Sequence, residues 1–314
     1  MSGTSESFVK VEALTKRFAG ITAVDHLSFA VSQGEIFGLV GPDGAGKTTT
    51  MRMLAGVMQP NDGAIVIDGV DVVTQPERAK HHVSYMPQRF GLYEDLTVDE
   101  NIRFYADLFG IAPKIREERA HQLLNASGMN DFRRRLAGQL SGGMKQKLGL
   151  TCSLIHTPRT LLLDEPTTGV DPVSRREFWQ ILYSLREEGV TILISTSYLD
   201  DAERCNRLAL LHDSRLMYCD TPNALKKLLP GALVAISSPA ARSVQSALAP
   251  LEGVSSVVLV GDGVHAMVDD AGRRIPEISQ ALAAAGIAID QIGAVTPSIE
   301  DLFVGLLQNE RGNT

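Results

Sequence analysis

Cysteine is scarce in this sequence: Cys152, Cys205 and Cys219 are the only three in 314 residues. An odd number, widely spread and without metal-ligand spacing, argues against a disulfide framework. It fits reduced thiols buried as small apolar side chains. Long apolar runs are missing as well. The longest are a handful of residues, far below the roughly 18 that a membrane-spanning helix needs. The N-terminal MSGTSESFVK has neither the basic start nor the apolar centre of a secretory signal, so any link to a membrane is expected to run through a partner. Positive charge is in deficit too. The 30 Lys and Arg against 37 Asp and Glu leave a net charge of −7, which argues against a nucleic-acid partner, whose phosphates need a basic surface.

What is present is the composition of a globular chain, 44% hydrophobic and 21% charged, with length enough for two domains. Residues 8 to about 74 read as β-rich: FVKVEAL, HLSFAV, EIFGLV and AIVIDG are short strand-like runs between Gly, Pro or Asp turns. One helix, from near Lys47 to Gly56, interrupts them. From about Leu96 to Leu150 the apolar spacing turns helical, opened by a capping box of Thr97 and Glu100. A strand, a helix over about Pro172 to Glu188 and another strand follow, a parallel α/β pattern. The pattern changes near Pro230-Gly231. Beyond it the order is β-α-β-β-α-β, that of a small ferredoxin-like α+β domain, with helices over AARSVQSALAPL and IPEISQALAAAG and a last helix from about Ser298 to Leu307. No catalytic constellation is visible in 231–314, and His265, on one of its strands, is expected to be structural.

The segment Gly41-Pro42-Asp43-Gly44-Ala45-Gly46-Lys47-Thr48-Thr49 follows the strand EIFGLV and opens a helix. It satisfies G-x-x-x-x-G-K-[ST] in the setting that gives the pattern its meaning. Gly41, Gly44 and Gly46 let the backbone curl so that successive N–H groups point at phosphate oxygens, and the helix N-terminus adds its positive end. Lys47 can neutralise the β- and γ-phosphates of ATP, and the Thr48 hydroxyl can hold Mg2+. Downstream, TLLLDEP is a buried apolar strand stopping at Asp164 and Glu165. Carboxylates beside such a core need partners: Mg2+ for Asp164, and for Glu165 an attacking water that it polarises.

With LSGGMKQK, SYMPQ and TTGVD present in order, the sequence resembles the ATPase subunits of ATP-binding cassette (ABC) transporters over about residues 7–230. The resemblance implies a P-loop NTPase fold of the ABC type, a mixed sheet with a RecA-like core and a helical subdomain at about 92–150, followed by the accessory domain 231–314. It implies that Ser141, Gly142 and Gly143 contact the γ-phosphate of a nucleotide held by a partner cassette. Gln88 becomes a ligand of Mg2+ and water, Asp171 closes the D-loop, and Phe18 stacks on adenine. FGLYEDLTVDEN, YLDDAE and the closing TPSIEDLF look like the ABC-2-type, drug-exporting branch, and GPDGAGKTT with STSYLD is similar to the first half of fused tandem-ATPase subunits. The implied partners are an integral-membrane permease and a second ABC ATPase domain, whether fused, heterologous or another copy. The implied location is the cytoplasmic face of the cell membrane. A soluble ABC ATPase acting on ribosomes or DNA, and an ATP-binding regulatory switch, are the alternatives.

One position breaks the pattern. Most of the family reads S-T-H at the end of the strand after the D-loop, where this chain has Ser195-Thr196-Ser197, and its seven histidines lie elsewhere. Serine is shorter and cannot become cationic. Ser197 is thus expected either to mark a site that binds ATP but hydrolyses it slowly, or to be a substitution that Glu165 tolerates.

Overall fold

A computed structural model describes residues 7–261, 263–303 and 305. The chain divides into two compact units after Asp220.

The first unit opens with β1 (Val9–Phe18) and β2 (Ile21–Val31), a hairpin longer than the apolar runs FVKVEAL and HLSFAV suggest. Its turn, Ala19-Gly20, carries positive φ at both residues, 38° and 89°, as tight hairpin turns require. There follow β3 (Ile36–Val40), α1 (Lys47–Leu54), β4 (Asp62–Ile67), β5 (Val70–Asp71), α2 (Pro76–Ala79) and β6 (Val83–Met86). Three longer helices come next: α3 (Val98–Leu108), α4 (Pro113–Ala126) and α5 (Gly142–Leu154). The unit closes with β7 (Thr160–Asp164), α6 (Pro172–Glu187), β8 (Thr191–Thr196), α7 (Leu199–Ala202), β9 (Arg207–His212) and β10 (Arg215–Asp220).

Two sheets result. One is antiparallel in the order β2-β1-β4-β5. The other runs β10-β9-β3-β8-β7-β6 and is parallel except for the edge pair β10-β9. Every residue of β3, β7 and β8 is buried, because layers cover the parallel sheet on both faces. This is why IFGLV, TLLLD and TILIST read as continuous apolar runs rather than alternating ones. On one side Leu39, Leu162 and Leu193 join Met51 and Leu54 of α1 and the apolar residues of the antiparallel sheet; on the other Leu161, Leu163 and Ile194 pack on Phe178 and Trp179 of α6. A separate core ties α3, α4 and α5 through Ile102, Leu124 and Leu148. The capping box is made: Glu100 N–H donates to Thr97 Oγ1, and Thr97 N–H donates to Glu100 Oε2 at 2.8 Å.

In the second unit, α8 (Pro222–Lys226) leads to β11 (Ala232–Ser237), α9 (Ala241–Leu248), β12 (Val254–Val260), β13 (Gly263–Val268), α10 (Ala271–Ala284) and β14 (Gln291–Val295). The sheet order is β12-β13-β11-β14, antiparallel throughout. The division thus precedes the composition break at Pro230-Gly231, because Thr221 N-caps α8 as soon as β10 ends. Helix α10 begins ahead of its apolar run, because Asp270 accepts from Arg273 N–H and starts the helix there. His265 Nδ1 is 2.8 Å from Asp301 Oδ1, and Asp301 Oδ2 accepts from the Ser298 hydroxyl at 2.6 Å. Burial raises the Asp301 carboxyl, but these hydrogen bonds outweigh it and hold it below the ordinary value. The segment 299–303 is helical, and the remainder of the helix expected to reach Leu307, Gly305 excepted, lies outside the described residues.

Candidate active site

The carboxyl ends of β3, β6, β7 and β8 lie along one edge of the parallel sheet, the edge where open α/β sheets bind ligands. Gly41, Gln88, Glu165 and Ser197 follow those four strands within two residues. The loop after β3 needs its glycines. A Cβ on Gly41 would meet the Leu211 carbonyl oxygen at 2.4 Å, and one on Gly46 would meet that of Ala23 at 2.4 Å, where φ is also 94°. Lys47 opens α1 and is nearly buried. Its Nζ donates to the carbonyl oxygens of Gly41 (2.8 Å) and Pro42 (3.0 Å) and lies 3.2 Å from Glu165 Oε1. Ala45 is buried under the loop.

Asp164 ends β7. Its Oδ1 accepts from Ser195 Oγ at 2.6 Å and Thr48 Oγ1 at 3.0 Å, and its Oδ2 from the Tyr85 hydroxyl at 3.1 Å. Burial first, and the Asp164 charge second, push the Tyr85 phenol up to about 12, so Tyr85 remains a donor at neutral pH. Glu165 has φ 49°, the left-handed region that residues with a Cβ avoid without compensation. The compensation is visible: its N–H donates to Ser195 Oγ (3.0 Å) and Ser195 O (3.1 Å). The Glu165 carboxylate accepts from Gln88 Nε2 at 3.1 Å and Thr168 Oγ1 at 3.4 Å as well as pairing with Lys47.

Lys47, Thr48, Gln88, Glu165 and Thr168 border a cavity of about 660 Å³. It is lined by Asp43, Gly44, Gly46, Lys47, Thr48 and Thr49, by Gln88, Glu165, Thr168 and Ser197, and by Phe18 and Tyr198. Phe18 is 43% exposed, with Lys16 Nζ 5.2 Å from its ring centre, so it offers a free face to a planar base. Gln88, expected as a metal and water ligand, is hydrogen-bonded to Glu165. The other expected residues lie outside this cavity. Ser141 caps α5, accepting from Met144 N–H. Gly142 and Gly143 form the first turn of that helix, and Gly143 lies against Ser174, where a Cβ would meet the Ser174 Cβ at 2.4 Å. Asp171 caps α6, and its bonds to the Ser174 hydroxyl and N–H hold its carboxyl below the ordinary range.

The donor set fits a nucleoside triphosphate with Mg2+. Thr48 and Asp164 offer hard oxygens 3.0 Å apart, and among the described residues no group of three His, Cys, Asp or Glu makes a protein-only metal site. A site with few protein ligands, completed by phosphates and water, suits Mg2+. Sequence reasoning missed Ser195 and Tyr85, whose partner Asp164 lies on a neighbouring strand far away in the chain, and Thr168, which bonds Glu165 three residues before it. Two of the three thiols are buried as expected, and Cys219 is only partly so.

Comparison with known proteins accords with this geometry. A family model described as "ABC transporter" matches residues 24–168. The chain is 41% identical over 307 residues to the probable multidrug ABC transporter ATP-binding protein YbhF of Escherichia coli K12, covering 96% of this chain and 52% of that protein. It thus spans about half the length of that relative. It is 33% identical to the daunorubicin resistance ATP-binding protein DrrA2 of Streptomyces coeruleorubidus, covering 98% of this chain and 97% of that one. Among solved structures, an ATP-binding subunit of an ABC transporter superposes with a TM-score of 0.64 at 30% identity, covering 71% of this chain and 93% of the other. The dimeric cassette MJ0796, at 24% identity and TM-score 0.62, shares the fold over 68% of this chain. On sequence, fold and the phosphate loop alike, the chain belongs to the ATP-binding proteins of ABC transporters.

Proposed function

We propose that this chain hydrolyses ATP to drive an ABC-2-type membrane exporter, bound at the cytoplasmic face of the membrane to a separate permease and paired with a second ATPase cassette. The observation that carries the reading is the convergence of Lys47, Thr48, Glu165 and Gln88 on one cavity, with Asp164 hydrogen-bonded to Thr48 at its edge, while Ser141, Gly142, Gly143 and Asp171 lie outside it. Such a division suits two cassettes meeting head to tail, each lending its signature residues to the other's nucleotide. The names of the relatives, multidrug and daunorubicin resistance, favour a drug as cargo. Among the described residues no helix is long and apolar enough to cross a membrane, so the pore belongs to the partner.

In this reading the loop amides and Lys47 bind the phosphates, and Phe18 stacks on adenine. Thr48 and Asp164, with Gln88 beside them, would hold Mg2+, which would supply charge neutralisation to the phosphates. Glu165 accepts a proton from water as the water oxygen bonds to the γ-phosphorus and the bond to the β-bridging oxygen breaks. Lys47, now counter-ion to Glu165 at 3.2 Å, turns to phosphate and leaves the carboxylate free to act. Ser197 contributes one neutral hydroxyl to the wall, so we assign a slow own site, paired with a competent one elsewhere.

ATP turnover of the full chain tests this. Glu165→Gln is expected to lower turnover by at least about 10²-fold, and Lys47→Ala to abolish nucleotide binding. Ser197→His is expected to raise turnover by at least about tenfold. Unchanged turnover in Glu165→Gln removes Glu165 as base; a brisk parent that histidine does not improve removes the slow-site assignment. Co-purification with a permease, as against ribosomes or DNA, decides the role.

A further inference from the structure

Behind the cavity lies a carboxylate that the steps above do not use. Asp201, on α7, is wholly buried, and a buried charge must find donors. Its Oδ1 accepts from Trp179 Nε1 at 2.7 Å; its Oδ2 accepts from Thr167 Oγ1 at 2.6 Å and pairs with Arg175 Nη2 at 3.4 Å. Thr167 stands two residues after Glu165 and one before Thr168. The Arg175 guanidinium in turn lies 4.2 Å from the centre of the Tyr198 ring, and Tyr198 borders the cavity next to Ser197. The neighbouring Thr196 hydroxyl accepts from Tyr198 N–H at 2.9 Å. One buried carboxylate is therefore bonded directly to the turn carrying Glu165 and, through Arg175 and a long bond from the Thr196 hydroxyl at 3.5 Å, to the loop carrying Ser197.

Stability does not by itself call for this arrangement. A buried Arg–carboxylate pair gives little net gain over apolar side chains of the same volume, because desolvation offsets the attraction. What it supplies is direction. Thr168, Ser197 and Tyr198 are all exposed, so the loops that carry them have few apolar contacts at those positions, and hydrogen bonds of fixed geometry set their spacing instead.

We propose that Asp201, with Arg175, is a positioning residue for ATP hydrolysis: it locks the Ser197-Tyr198 loop to the turn bearing Glu165, so that both cavity walls keep one separation around the phosphates. The inference rests on the ATPase reading above. Displacement of a reacting group by about 1 Å costs on the order of 10²-fold in rate, whereas the loop that binds ATP is left in place.

The test uses the full chain, reading kcat and KM for ATP together with Tm. Asp201→Asn keeps the volume but turns an amide NH2 toward donors. It is expected to lower kcat at least about tenfold with KM within about threefold of the parent. Arg175→Gln, which leaves Asp201 its donors Trp179, Thr167 and Thr196, is expected to reproduce that split and stands in if Asp201→Asn fails to fold. Trp179→Phe removes a bond to the same carboxylate from α6 but touches neither loop, and is expected to keep kcat within about threefold whatever its Tm. Parental kcat in a folded Asp201→Asn or Arg175→Gln overturns the inference, and so does a loss in Trp179→Phe equal to theirs at equal Tm. If instead the parent shows no turnover that Glu165→Gln removes, the ATPase reading falls and takes this inference with it.

Discussion

At the end of β8, Ser195 turns its hydroxyl inward, to Asp164 Oδ1 and the Glu165 N–H, while Ser197, two residues on, is exposed on the cavity wall. Thr196 between them holds the backbone of Tyr198. Three adjacent hydroxyls thus take unlike parts, and their chemistry alone does not sort them. Ser195→Ala would remove a donor from a buried carboxylate and an acceptor from a backbone N–H in left-handed conformation. The expected loss is about 1–3 kcal/mol of stability, with lower turnover, read by denaturant unfolding and ATPase rate; a neutral substitution would show that Thr48 and Tyr85 hold Asp164 unaided. Ser197 was legible in the sequence because a motif made its neighbours predictable. Ser195 and Asp201 were not, because their partners come from β7, α6 and the turn after Glu165, and only the folded register brings them together.

Among the elements, strands buried on both faces announce themselves as apolar runs, and the phosphate loop is written in contiguous residues whose glycines meet carbonyl oxygens. The β1-β2 hairpin is harder to read, since its outer residues are held by cross-strand bonds rather than by burial. The helices of the first unit carry a pH dependence that the sequence does not announce. His156, just beyond α5, stacks on Phe109, just beyond α3, with ring centres 3.8 Å apart at 7°. Burial, with neither ring nitrogen hydrogen-bonded among the described residues, pushes its pKa down to about 4 from 6.5. The folded chain then binds fewer protons than the unfolded one between those values, so this histidine's contribution to stability falls as pH drops from about 6.5 to 4. His156→Phe should flatten that part of the stability–pH curve while leaving stability at pH 8 nearly unchanged; equal slopes in both proteins would contradict the burial of a neutral ring.

Across the whole molecule, every residue bordering the candidate nucleotide cavity belongs to the unit that ends at Asp220. ATP with Mg2+ should therefore raise the unfolding temperature of one calorimetric transition by mass action, while Asp301→Ala, which frees His265 and Ser298, should lower the other. A single transition moved by both would show the two units to unfold as one. The division after Asp220 was not legible, because Pro230-Gly231 is the stronger break in composition while the actual boundary is a helix cap. The backbone at Glu165 bears on stability as well. At φ 49° a glycine or asparagine would rest there with less strain. The position proposed for the base is thus one where the backbone alone favours another residue. Glu165→Gly would therefore relieve backbone strain while removing the partner of the buried Lys47, so its stability reads the balance of the two.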